Sequence, residues 1–109
     1  MKTPVFENPA RIYVGKTKAL SLYTKERYTV ELRTSDNTLI HSRTLNDISN
    51  NAEILLLTRK IKSHMKRYGL EDYVLTNGRF SSEGETLTPI EEGEFSELTQ
   101  VIKQKINKR

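Results

Sequence analysis

Between Tyr28 and Arg33 apolar and polar residues alternate without a break. Tyr28, Val30 and Leu32 fall on one side of an extended chain, and Thr29, Glu31 and Arg33 on the other. Such a strand has one face to hide and cannot hide it alone. Ser35, Asp36 and Asn37 supply turn chemistry directly after it, and Thr38–Thr44 returns as a second strand, so 28–44 reads as a hairpin. Ile12, Tyr13 and Val14 add a short strand core, and Ala19–Tyr23 alternates weakly through Leu20 and Leu22. A cover for the sheet follows. Ile54, Leu57, Ile61, Met65 and Tyr68 recur at three- and four-residue steps, which lays one apolar stripe along a helix over 49–68. Asn46, Asp47 or Ser49 can cap its start, and Gly69 suits a left-handed residue at its end.

Tyr73, Val74 and Leu75 then form another strand, stopped by Asn77-Gly78. Residues 79–88 are polar and read as a flexible connector. Thr88-Pro89-Ile90-Glu91 carries the chemistry of a helix start, but Gly93 interrupts it and moves the expected opening to near Glu94. Leu98, Val101, Ile102 and Ile106 give this second helix its stripe. The expected class is α+β: an antiparallel strand meander followed by helix, strand and helix. At 109 residues the chain reads as a single domain, 1–109, with an irregular lead-in over 1–10 that contains Pro4 and Pro9. There is no cysteine for a disulfide or a thiolate zinc site. The longest apolar run, Ile54–Leu57, is far too short to span a membrane, and Met1–Lys18 has no secretory apolar core, so no membrane partner and a cytoplasmic setting are expected.

Charge is unevenly placed. Residues 1–79 hold fourteen Lys and Arg against eight Asp and Glu, 80–97 hold six Glu and no cation, and the last twelve residues hold four cations. On the first helix Arg59, Lys62 and Lys66 form a row, with Lys60 and Arg67 beside it, on the side opposite the apolar stripe; Glu53 alone on that helix offsets them. A coherent cationic face of this kind attracts phosphate polyanions. It equally describes a solvated lysine-rich surface. Tyr13, Tyr23, Tyr28, Tyr73 and Phe80 could stack on bases, although several must fill the core.

Other motifs carry less chemistry. Ala10–Thr17, ARIYVGKT, fits a relaxed phosphate-loop pattern, but its loop positions Ile12, Tyr13 and Val14 are strand formers and sheet-like sequence follows, where the motif needs a helix opening at Lys16. His41 and His64 belong to different elements, with no helical His pair, so neither points to a metal or a catalytic base. No cofactor is expected.

Ser49-Asn50-Asn51-Ala52-Glu53, taken with the element order, resembles the ribonuclease H family. The resemblance implies a reduced ribonuclease H-like fold. Family members cleave the RNA strand of RNA–DNA hybrids with two divalent ions held by carboxylates. Glu53 would be the helix carboxylate, while the first-strand aspartate falls near Gly15 in YVGK and the fourth-strand aspartate at Asn77 in VLTNG. Two of the three core carboxylates are therefore missing. Glu53 also stands one residue closer to the Asn-Asn pair than usual, a rotation of about 100° on a helix. Without paired carboxylates no two-metal clamp can form, so the expectation leans away from an enzyme. What remains is a small basic nucleic-acid-binding module, for RNA or DNA, using the cationic face of helix 49–68. The alternative is a protein-binding adaptor or inhibitor of viral or mobile-element type, engaging a partner through the acidic 83–97 segment or a strand edge.

Overall fold

The computed structural model describes residues 9–17, 27–46, 51–82 and 84–107. The weak strand at Ala19–Tyr23, the caps Asp47 and Ser49, and most of the lead-in lie outside the described residues. The architecture is α+β. Four strands, β1 (Ala10–Thr17), β2 (Arg27–Arg33), β3 (Leu39–Leu45) and β4 (Tyr73–Asn77), form one sheet in the order β3-β2-β1-β4. β2 is antiparallel to both β1 and β3, while β4 is parallel to β1. Helix α1 (Asn51–Arg67) is the crossover from β3, at one edge, to β4, at the other. The expected hairpin is present, with Asn37 at φ 73° in its turn, a conformation that asparagine tolerates better than most residues. Two short strands, β5 (Arg79–Ser81) and β6 (Gly84–Leu87), then precede α2 (Glu92–Asn107).

Both helices cover the same face. Ala10, Ile12 and Val14 of β1, Val30 and Leu32 of β2, and Leu45 of β3 pack against Ile54, Leu57, Ile61 and Met65 of α1 and Leu98 and Ile102 of α2. The stripes at three- and four-residue spacing are what make this possible. α1 ends as Gly69 requires: Gly69, at φ 68°, donates to the Lys66 carbonyl at 3.2 Å and Leu70 donates to that of Met65 at 2.8 Å. This is the paired hydrogen-bond pattern of a Schellman motif, with the Met65–Leu70 apolar contact that accompanies it.

Three expectations need correcting. The connector 79–88 is largely the β5–β6 hairpin, whose short polar strands carry no periodic signal. Gly93 does not delay the second helix, which runs from Glu92, and Thr88 caps no helix. Instead it pairs with Lys16 of β1 through two backbone bonds of 2.8 and 3.0 Å, and the carbonyl of Glu91 accepts the first turn of α2 from Phe95. Tyr68 leaves the apolar stripe because α1 stops at Arg67, and its side chain is 49% exposed.

The hairpin also changes the second face of the sheet. Thr29 and Glu31, polar positions of the alternating strand, are both buried; Glu31 pairs with Tyr13, and Thr29 pairs with Gly15, against which Leu87 of β6 packs. A carboxylate there needs partners. Glu31 accepts from Arg33 Nε at 3.1 Å and from Arg79 Nε, at the start of the hairpin, at 2.6 Å. Gly15 is the close-approach point. A Cβ on it would stand 2.7 Å from Leu87 Cβ and 2.9 Å from the Thr88 carbonyl oxygen.

Candidate functional site

The candidate site starts from the cations of α1. Counting about 100° per residue, Lys62, Lys66 and Arg59 fall within about 60° of one another, and Arg67 and Lys60 lie about 80–100° further round. Arg59, Lys60, Lys66 and Arg67 are exposed. Lys62 is not part of the outer row: it is half-buried on the α2 side and lines a cavity of about 360 Å³ with Met65, Lys66, Gly69, Leu70, Glu71 and Ile106. Among the described residues no ion pair engages Arg59, Lys66 or Arg67. Glu53, in the first turn, is half-buried rather than spread over the cationic face.

Glu94 of the acidic segment lies away from the Lys66–Arg67 end of these cations. Asn77, ending β4, holds Ile90 just before α2, and Tyr73, starting β4, donates to Asn107 at its far end. α2 therefore runs against β4 and beside α1 in the same sense, and Ile106 meets Met65 near both C-terminal ends. Glu94 is at the opposite end, accepting from the Tyr28 hydroxyl at 2.8 Å. Along α2, Glu94 and Ile106 are about 18 Å apart. That is beyond the screening length of roughly 8–10 Å at ordinary salt.

On the other flank of α1, His64 stacks on His41 of β3 with ring centroids 4.9 Å apart. Spacing in the chain gave no hint of this contact, which the sheet edge and the helix flank create. Burial lowers the His41 pKa, and the nearby charges of His64 and Lys60 on α1 and Arg43 on β3 lower it further. Its Nε2 is buried with no hydrogen-bond partner among the described residues. The unfolded chain therefore binds a proton at His41 more readily than the folded one. Stability from this site is complete above the ordinary value of 6.5 and is lost as pH falls below it, toward the lowered folded value. Thermal melts between pH 7.5 and 5 are expected to show this loss, and His41→Phe to flatten it.

At the end of β1 the residues that would carry catalysis serve the backbone instead. The phosphate-loop-like segment is extended strand throughout, and Lys16 stands over the Tyr28 ring at 5.5 Å. The Lys16 amide donates to the Thr88 carbonyl at 2.8 Å and so is not turned toward a phosphate. Asn77 donates from Nδ2 to the Ile90 carbonyl and accepts the Ile90 amide on Oδ1, both at 2.8 Å. An ionised carboxylate, which only accepts, could not do both. A carboxylate at Gly15 would run into Leu87 and the Thr88 backbone. Both positions that the ribonuclease H resemblance assigns to aspartates are thus occupied in holding the returning chain. Among the described residues no group of three or more His, Asp or Glu side chains is placed to hold a metal ion. Asn77→Asp is expected to lose about 1–3 kcal/mol of unfolding free energy in denaturant titrations, because the Ile90 carbonyl loses its donor and faces a charge.

Of the aromatic candidates, Tyr13 is buried, Tyr28 is engaged by Glu94, and Tyr73 is half-buried, with its hydroxyl pKa raised by burial; Tyr23 lies outside the described residues. Phe80 is exposed but stands on the β5–β6 hairpin, away from α1. Tyr68 was the one missed: periodicity placed it in the core, and only the early end of α1 reveals it. No helix among the described residues is long and apolar enough to cross a membrane. In comparisons with family models, with curated proteins and with solved structures, the chain matches none.

Proposed function

We propose that this chain is a non-catalytic nucleic-acid-binding module that meets the phosphate backbone with the outer face of α1. Arg59, Lys66 and Arg67 make the central contacts, with Lys60 and Lys62 on either flank. The observation that carries this reading is the exposure of those three central cations on one helix, without ion pairs among the described residues and with Glu94 of α2 held by Tyr28 at the end away from Lys66 and Arg67. Each phosphate that a cation neutralises releases a condensed counterion, so binding gains the entropy of that ion's dilution into the bulk. A helix anchored along its whole apolar stripe presents such cations at fixed spacing.

The test is a titration against single-stranded RNA, duplex RNA and duplex DNA at about 50 and 200 mM salt. Three to five contacts give a slope of log K against log salt of roughly −2 to −3.5 for single strands, or about a 20- to 100-fold loss over that range. Absent binding in all three titrations contradicts the reading.

A second reading rests on Leu55 and Leu56, which are 37% and 42% exposed one turn ahead of the cations. A protein partner with an apolar patch bordered by acids suits that surface. Its mark is a complex that survives nuclease treatment and is lost in Leu55→Glu/Leu56→Glu.

A further inference from the structure

A second cavity, of about 280 Å³, lies where the β2–β3 turn meets the chain leaving α1, lined by Thr34, Ser35, Asp36, Thr38, Tyr68 and Leu70. We propose that this cavity receives one unpaired nucleobase, stacked on the Tyr68 ring, so that the module prefers single-stranded over duplex nucleic acid. The inference rests on the phosphate-contact reading of α1 and adds a base contact to it.

Size comes first. The volume is just under the roughly 300–1,000 Å³ of sites for drug-sized ligands, which suits one heteroaromatic ring better than a whole nucleotide. The walls fit the same guest. Leu70 is buried and forms an apolar floor, and Tyr68 leaves half its surface open. The backbone that carries Tyr68 is held in place, because its amide donates to the His64 carbonyl at 3.0 Å and the hydrogen bonds of Gly69 and Leu70 follow immediately. Every base has a π-face, so stacking recruits bases with little regard to sequence.

The opposite wall is polar and equally fixed. Thr34 donates to Asp36, the Thr38 amide donates to Thr34 Oγ1 at 3.1 Å, and Arg33 Nη1 donates to the Asn37 carbonyl at 2.7 Å. The hydrogen bonds from Thr34 and Thr38 hold the Asp36 carboxyl below its ordinary range, so it is an acceptor at neutral pH. All four bases offer N–H donors on the edge that pairing normally hides. Guanine offers two adjacent ones, which a carboxylate can engage together. Lys60 and Arg67 stand about 80° and 100° round α1 from Tyr68, so a strand that seats a base here passes its phosphates first along that flank of the helix. A duplex keeps its bases stacked inside and cannot use the cavity.

The experiment compares wild type, Tyr68→Ala and Tyr68→Phe against four probes: a single-stranded RNA, a single-stranded DNA, an RNA duplex and an abasic single strand. Tyr68→Ala is expected to weaken both base-bearing single strands about tenfold. Tyr68→Phe should stay within about twofold of wild type, and neither variant should change binding to the duplex or the abasic strand. Equal losses on single strand and duplex, or no loss on the single strand, overturn the base-pocket inference. In that event, intact salt-dependent binding of the abasic strand leaves the phosphate-contact reading standing. Absence of binding by wild type to every probe overturns both. A preference for one single-stranded sugar over the other assigns RNA or DNA within the inference.

Discussion

Charge reversal at Arg59→Glu, Lys66→Glu and Arg67→Glu together is expected to lower affinity for single-stranded RNA by about 100-fold or more at low salt. The three side chains are exposed and, among the described residues, share no ion pair, so the folded chain does not depend on them. Exposed substitutions of this kind stay within roughly 0.5 kcal/mol each, and the melting temperature should move by only a few degrees. The salt slope should fall by about two, since each single-strand contact contributes roughly 0.7. A large affinity loss with an unchanged slope points instead to a general disturbance. Lys62 is left out of the triple deliberately, because it lines the cavity beside Ile106 and its replacement alters packing as well as charge.

The largest expected loss of stability from a single polar side chain comes from Glu31. Its carboxylate is nearly sealed from solvent between Arg33 and Arg79, whose side chains are themselves only 14% and 12% exposed. Glu31→Gln leaves two guanidiniums facing each other without a counter-charge. Removing one member of such a buried group costs about 3 kcal/mol or more, whereas replacing every member with apolar groups can be neutral. For a domain of this size that corresponds to a fall in melting temperature of roughly 12–20 °C. Arg79→Met is expected to cost less, since Arg33 still holds the carboxylate. The β5–β6 hairpin should loosen in both, because Arg79 is its tie to β2.

The same group sets a second pH window. Burial by itself raises the Glu31 pKa, but the hydrogen bonds and charges of Arg33 and Arg79 outweigh it and hold the carboxyl below the ordinary 4.5. The folded chain then takes up its proton less readily than the unfolded one. This contribution is complete above 4.5 and is lost as pH falls through the folded value. His41 acts first, below 6.5, and Glu31 only in stronger acid.

Local chemistry was readable from the sequence. The 28–44 hairpin, the stripe of α1, its glycine end and the stripe of α2 all follow from periods of two and of three to four, together with a residue suited to a left-handed turn. Long-range pairing was not. Nothing in Arg79–Leu87 shows that two short polar strands fold back over Gly15, or that Glu31 is thereby buried on what looked like a solvent face. The cations of α1 were identified by type and spacing, but a wheel drawn without α2 could not place Lys62 on its inner flank. Tyr68 was misplaced for a similar reason, since extrapolating the stripe one step beyond Arg67 assumes that the helix continues. The histidine contact joins residues twenty-three positions apart and exists only because α1 lies along the β3 edge.

The most direct measurement is an amide-resolved NMR titration of the chain with a single-stranded RNA at low salt. Shifts should concentrate on α1 from Arg59 to Arg67 and continue through Tyr68 into the Thr34–Thr38 turn, while the hairpin-covered face around Thr29 and Leu87 stays still. Shifts gathered instead at Val74, Thr76 and Phe80, with α1 silent, would contradict a phosphate contact through the helix.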